Sequence, residues 1–114
     1  ALSLIGDVKD KTALIVDDEI GTGGTVVATA AALKKYGANK IYCAVTHPVL
    51  SGEAFELLQN SYISEILVTD TLPIPDGKIL SKIQVLSVAP MLGEAIHRIH
   101  SGLSVGAMFE GSGD

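Results

Sequence analysis

The chain has 114 residues and forms one domain at most. Its formal net charge of −5 and its lack of a basic patch argue against nucleic acid or an anionic membrane as a partner. Apolar residues make up 47% of the sequence, yet no run approaches the roughly 18 residues that a membrane span requires. This composition is typical of a parallel sheet covered on both faces, or of a piece that has lost a partner surface.

The single cysteine, Cys43, lies inside an apolar segment, so no disulfide framework is expected. This cysteine usage favours the reducing cytoplasm, and no signal peptide is visible. The first residue is Ala1 rather than a methionine, from which we expect a fragment or a processed chain.

Strand and helix patterns alternate along the sequence. Strands are predicted at residues 13–16, 40–47, 64–70 and 83–88, and helices in the alanine-rich stretch before Gly37 and at residues 53–60 and 89–101. Residues 71–82 form a loop containing Pro73, Pro75 and Gly77. The alternation predicts an α/β fold with a parallel sheet and right-handed crossovers. Residues 1–109 form the domain portion, and residues 110–114 are a polar tail that we expect to be disordered.

The first strand leads into the most informative stretch of the chain. Asp17 and Asp18 follow the apolar run, and a glycine-rich turn then precedes the first helix. The turn reads Gly21, Thr22, Gly23, Gly24 and Thr25. A turn of this kind places a ligand at the carboxyl edge of an α/β sheet.

The residue types in this stretch indicate a phosphorylated sugar. Glycines allow close backbone approach, and the amides of a first helical turn lack intrahelical acceptors, so the turn suits a phosphate. Thr22 and Thr25 add hydroxyl donors. Asp17 and Asp18 only accept hydrogen bonds, so vicinal sugar hydroxyls or a hydrated Mg²⁺ are their natural partners. Together these features predict a ribose 5-phosphate site. A plain structural corner with solvated aspartates is the competing interpretation.

Other candidate residues have weaker signals. His47 ends the second strand on the ligand edge, although a structural or interface role is favoured for it. His97 and His100 have a spacing that suits a metal, but they occupy the polar face of an amphipathic helix. Asp70 ends the third strand beside the predicted site, where a supporting role is the less favoured interpretation, and Cys43 is interpreted as a core residue.

The stretch IVDDEIGTGGT resembles the phosphoribosyl-diphosphate motif shared by type I phosphoribosyltransferases and ribose-phosphate pyrophosphokinases. The order and spacing of the other segments resemble the C-terminal portion of the pyrophosphokinases over nearly the whole chain. These segments are LIGDVKDKTALIVDD, AVTHPVLSGEAFELL, EILVTDTLPIP and IQVLSVAPMLGEAIHRIHSGLSV. The resemblance implies part of a Rossmann-like domain of the type I phosphoribosyltransferase kind, with helices on both faces of the sheet.

For function, the resemblance implies transfer of the β,γ-diphosphoryl group of ATP to the 1-hydroxyl of ribose 5-phosphate, which releases AMP. Asp17 and Asp18 would hold the ribose hydroxyls, and the turn from Gly21 to Thr25 the 5-phosphate. Mg²⁺ would arrive with the substrate rather than on dedicated ligands of this chain. The family also implies a cytoplasmic homo-oligomer whose ATP contacts lie outside this sequence.

The same resemblance limits what this chain does alone. Family members draw a catalytic lysine and arginine from an upstream loop, and no basic residue lies inside the motif here. We therefore expect the isolated chain to bind substrate without turning it over. Gly21 stands where an Asp is usual, which puts affinity or catalysis in doubt. SVGAMF replaces a serine-rich segment of the allosterically regulated enzymes, which puts that regulation in doubt.

Three other functions stay open at this stage. A type I phosphoribosyltransferase shares the motif, and a non-catalytic module that binds phosphoribosyl diphosphate would also use it. A phospho-acceptor receiver domain opens with a similar VDDE strand, with Asp70 as its acceptor. However, a receiver has no use for the threonine–glycine turn and requires a lysine where Ser87 and Val88 stand.

Overall fold

The computed structural model describes residues 3–75 and 80–111. It contains four strands, β1 (Ala13–Ile20), β2 (Ile41–Pro48), β3 (Glu65–Thr69) and β4 (Ile83–Leu86). The helices are α1 (Gly24–Lys35), α2 (Ala54–Gln59) and α3 (Ala89–His100), followed by a 3₁₀ turn at Gly106–Phe109. The predicted positions of Gly77 and of tail residues 112–114 lie outside the described residues.

All four strands are parallel and lie in the order in which they occur in the chain, β1-β2-β3-β4. This confirms the predicted α/β class and the parallel sheet. The first strand is longer than its apolar run suggests, because pairing with β2 continues through Glu19 and Ile20. The acidic pair therefore lies within β1 rather than beyond it.

Helices α1 and α2 cover one face of the sheet. When parallel strands lie side by side in chain order, right-handed crossovers between them put successive helices on the same face of the sheet. The core between these helices and the sheet is built from apolar residues of both layers, with Ala30, Ala54, Leu58, Ile66 and Val68 all at 0% exposure. Lys82 joins the two layers, since its Nζ donates to the backbone oxygens of Leu58 at 2.6 Å and Ile63 at 2.9 Å. Burial lowers the pKa of this ammonium group.

The opposite face of the sheet is uncovered in the part of the chain that the structure describes. Its apolar side chains are exposed, with Leu14 at 62% and Val16 at 74%, and Leu67 and Leu86 extend the same surface. Since parallel sheets are normally buried on both faces, helices were expected on each side. In the described part of the chain, α1 and α2 supply one of these two layers.

Helix α3 is also largely uncovered. None of its residues is buried, although Leu92, Ile96 and Ile99 form an apolar stripe along it. The radius of gyration is 16.9 Å, whereas a compact domain of this length has a value of about 13 Å. Among the described residues, no helix has the length and apolar content to cross a membrane.

Cys43 lies in the middle of β2 at 1% exposure, which confirms it as a core residue. Burial, together with the negative charge of Asp17, raises the pKa of its thiol to about 11. The thiol is therefore neutral at physiological pH. Its raised pKa contributes to the stability of the folded state, and this contribution is fully present at pH values below the ordinary pKa of 9.0. That contribution is lost as pH rises through about 11.

We expect a thiol-specific chromogenic reagent at pH 8 to leave the folded chain unmodified, because Cys43 is both inaccessible and protonated. The same reagent should modify one thiol per chain after unfolding in urea. Absorbance of the released product measures both states. Rapid modification of the folded chain would show that β2 opens locally or that the thiol is not buried.

Candidate functional site

The two aspartates of the motif stand on different sides of β1. Successive side chains of a strand point to opposite faces, and Asp17 lies on the face of Cys43, whose thiol it influences. Asp17 Oδ1 also accepts a hydrogen bond of 2.8 Å from the N–H of Asp18. Both carboxylates are exposed, so each is accessible to a ligand.

The turn from β1 into α1 depends on Gly23. This residue has φ 87° and ψ −9°, a left-handed conformation that L-residues with a Cβ rarely adopt. Its backbone also approaches α2 closely, since a Cβ at this position would lie 3.6 Å from the Cα of Ala54. Gly23 thus lets the chain reverse direction against the start of α2.

The amides of the turn are available to a ligand. The first helical hydrogen bond runs from the N–H of Val27 to the oxygen of Gly23 at 3.0 Å, so the preceding amides of α1 have no helical acceptor. No side chain caps this end, and no acidic residue lies in its first turn. Among the described residues, no hydrogen bond is formed by the N–H groups from Gly21 to Val26. Backbone N–H groups at a helix start favour an anion.

These residues together line a cavity of about 310 Å³ that runs from Asp17 to Val26. Every residue predicted for the substrate site belongs to this lining: Asp17, Asp18, Gly21, Thr22, Gly23, Gly24 and Thr25. Glu19 and Ile20 also belong to it. The lining combines the backbone amides of the turn with carboxylates, and it contains no lysine or arginine.

His47 stands beside this cavity, paired in register with Glu19. Its Nδ1 lies 2.9 Å from the hydroxyl of Thr71, and Thr69 donates to the oxygen of Thr46 at 2.6 Å. These contacts join the carboxyl ends of β2 and β3. They support the structural role that the sequence favours for His47.

Asp70 connects β3 to the start of α3. Its Oδ1 accepts a 2.8 Å hydrogen bond from the N–H of Val88, the residue at the helix cap. Hydrogen bonds from the Ser87 side chain and the Val88 amide lower the pKa of this carboxyl group. Asp70 therefore supports the helix rather than lining the cavity.

His97 and His100 lie in the last turn of α3. Within the described residues, no group of three or more histidine, cysteine, aspartate or glutamate side chains is arranged to hold a metal ion. The metal-ligand atoms that the candidate site offers are the oxygens of its exposed carboxylates. Hard oxygen ligands of this kind suit a Mg²⁺ ion that keeps part of its water shell.

Sequence reasoning did not find Leu50 and Ser51, which contact the turn through their backbone. The N–H of Leu50 donates to Ile20 at 2.9 Å, and the N–H of Ser51 donates to Gly21 at 3.0 Å. No side-chain pattern reports such contacts. The only local signal is Ser51-Gly52, which marks the start of a turn.

Comparison with known proteins agrees with the resemblance read from the sequence. The chain is 53% identical over 108 residues to a ribose-phosphate pyrophosphokinase of Caldanaerobacter subterraneus, covering 95% of this chain and 34% of that protein. It is 48% identical to the ribose-phosphate pyrophosphokinase of Oceanobacillus iheyensis, again covering 34% of the relative. The chain thus spans about a third of the length of the curated relatives it matches.

A solved structure shares the fold. The crystal structure of phosphoribosylpyrophosphate synthetase from Mycobacterium smegmatis superposes with a TM-score of 0.83 at 40% sequence identity, over 86% of this chain and 33% of that one. The chain is therefore an α/β protein related to such synthetases. A family model described as "Phosphoribosyl synthetase-associated domain" matches residues 1–110, and the chain belongs to that family.

We expect Gly23→Ala to lower the free energy of unfolding by about 1–2 kcal/mol, because alanine resists the left-handed conformation. Urea unfolding followed by circular dichroism measures the loss. Gly21→Ala is the matched control, since Gly21 has no positive φ and a Cβ there would meet nothing within 4 Å. Equal stability for the two variants would contradict the role assigned to Gly23.

Proposed function

We propose that this chain is the ribose 5-phosphate and phosphoribosyl diphosphate binding portion of a ribose-phosphate pyrophosphokinase. In the complete enzyme, the diphosphoryl group of ATP passes to the 1-hydroxyl of ribose 5-phosphate, and AMP leaves. The relatives' names support this reaction over that of a phosphoribosyltransferase or a receiver domain. The observation that carries the proposal is a set of unbonded amides and exposed carboxylates that line one cavity.

In this proposal, the amides and the carboxylates of the cavity bind different parts of the ligand. The amides and hydroxyls from Gly21 to Thr25 hold the 5-phosphate, where the partial positive charge of the α1 start favours an anion. Asp17 and Asp18 accept hydrogen bonds from ring hydroxyls, or from water on a Mg²⁺ ion that arrives with the substrate. Catalysis of phosphoryl transfer also needs positive charge near the transferred group.

That positive charge is not available in the cavity, whose lining contains neither lysine nor arginine. We propose that basic residues and ATP contacts come from the part of the enzyme that this chain does not span. The uncovered sheet face and the apolar stripe of α3 would be covered in the complete enzyme. A cytoplasmic homo-oligomer is part of the same proposal.

The sharpest test of binding is calorimetric titration with ribose 5-phosphate and, separately, with inorganic phosphate. We expect Asp17→Asn and Asp18→Asn to weaken ribose 5-phosphate binding by about 10-fold or more, since hydrogen bonds to a charged group contribute roughly 1.5–3 kcal/mol. Binding of inorganic phosphate should not weaken, because losing a negative charge reduces repulsion of the anion.

Glu65→Gln is the matched control, because it removes one exposed carboxylate at the opposite end of the strands. It should leave both affinities unchanged. If Asp17→Asn and Asp18→Asn instead strengthened the binding of both ligands, the carboxylates would be acting as repelling charges rather than as acceptors for the sugar. A wild-type chain that binds neither ligand would overturn the proposed site.

We further expect the isolated chain to form no AMP from ATP, ribose 5-phosphate and Mg²⁺, because its cavity cannot neutralise the charge of the transferred group. Chromatographic detection of AMP measures this, with an intact ribose-phosphate pyrophosphokinase as the positive control. AMP formation by the chain alone would show that it contains a complete catalytic apparatus.

A further inference from the structure

We propose that Leu50 is a positioning residue for the phosphate-binding turn, an inference that rests on the proposed function of that turn. Leu50 lies outside the cavity lining, two residues beyond the end of β2. Through its backbone, it fixes the direction of amides that would contact the phosphate. We call residues 49–51 the brace.

The brace contacts the turn at two successive carbonyl groups. The N–H of Leu50 donates to the oxygen of Ile20 at 2.9 Å, and the N–H of Ser51 donates to the oxygen of Gly21 at 3.0 Å. The brace also leads directly into α2, whose first residue, Ala54, packs against Gly23. The turn is thus held along one side by the segment that follows β2.

These two contacts determine where the next two amides point. In a trans peptide group, the C=O and the N–H of the following residue point in opposite directions. The carbonyls of Ile20 and Gly21 face the brace, so the N–H groups of Gly21 and Thr22 face away from it. Neither N–H donates to another described group. Both residues line the cavity, so these N–H groups are placed to bind an anion there.

Leu50 holds this arrangement in a conformation that its residue type disfavours. Its φ is 49°, in the left-handed region that residues with a Cβ rarely adopt. The side chain is 8% exposed and belongs to the hydrophobic core, which fixes it in place. Backbone strain of this kind persists where the surrounding structure holds the residue in place, and strained residues are concentrated at functional sites.

The brace therefore assembles the binding turn before a ligand arrives. A turn with preset amides avoids the ordering cost that a flexible loop pays on binding. Loss or displacement of the brace should therefore weaken phosphate binding. The effect should be larger than that of a core substitution elsewhere that lowers the free energy of unfolding by the same amount.

The test combines amide exchange with titration. In the ligand-free chain, we expect the amides of Leu50 and Ser51 to be protected from hydrogen exchange, and those of Gly21 and Thr22 to exchange quickly. Leu50→Val retains an apolar side chain, but a β-branched residue tolerates positive φ poorly. We expect this variant to lose protection at Ser51 and to bind ribose 5-phosphate and inorganic phosphate at least 10-fold more weakly.

Two further variants separate positioning from stability. Leu50→Met keeps an unbranched apolar side chain and should bind within twofold of wild type. Ile83→Val removes one methyl group from a core residue that does not contact the turn, and it should leave affinity unchanged. Urea unfolding of each variant gives the stability against which affinities are compared.

The outcomes separate failure of the brace from failure of the proposed function. An unprotected Ser51 amide in the wild type would overturn the brace without any variant, even if Leu50→Val does not fold. An affinity loss in Ile83→Val equal to that in Leu50→Val, at matched stability, would also overturn it. Protected brace amides in a chain that binds neither ligand would uphold the brace as structure while refuting its role in binding.

Discussion

The candidate site depends on which atoms of the peptide groups between β1 and α1 are hydrogen-bonded inside the protein. Three of their carbonyls accept hydrogen bonds inside the molecule: those of Ile20 and Gly21 accept from the segment after β2, and that of Gly23 accepts the first bond of α1. The N–H groups from Gly21 to Val26 have no acceptor among the described residues. This arrangement requires a glycine at position 23 and a strained, left-handed backbone conformation at Leu50. It is the basis for the proposal that the turn binds a phosphate through its backbone while the aspartates accept hydrogen bonds from the sugar.

Much of this arrangement was predictable because it depends on local sequence patterns. The strand–turn–helix order, the parallel sheet and the residues that line the cavity follow from apolar runs, glycine spacing and the acidic pair. The length of β1 was not predictable from its own residues, because hydrogen bonds to β2 extend it through three acidic residues. The contacts of Leu50 and Ser51 were missed because they involve backbone atoms brought together across the fold. A sequence shows side chains, whereas these contacts depend on tertiary position.

The uncovered face of the sheet is the other part that sequence reasoning described incompletely. The high apolar content favoured two covered faces or a lost partner surface, and patterns alone did not separate these alternatives. In the described residues, α1 and α2 cover one face of the sheet, and the apolar side chains of the other face stay exposed. Leu14, Val16 and Leu67 lie on that exposed face. Both this face and α3 agree with a chain that spans a third of its relatives.

The sequential strand order also bears on how the sheet is assembled during synthesis. Among the described strands, β2, β3 and β4 each pair with the strand made just before them. Short-range pairing of this kind keeps the loop-closure entropy of each step small and speeds folding. Within these residues, the nascent chain can therefore add one strand at a time to the sheet. The glycine-rich turn after β1 is translated well before β4 and α3.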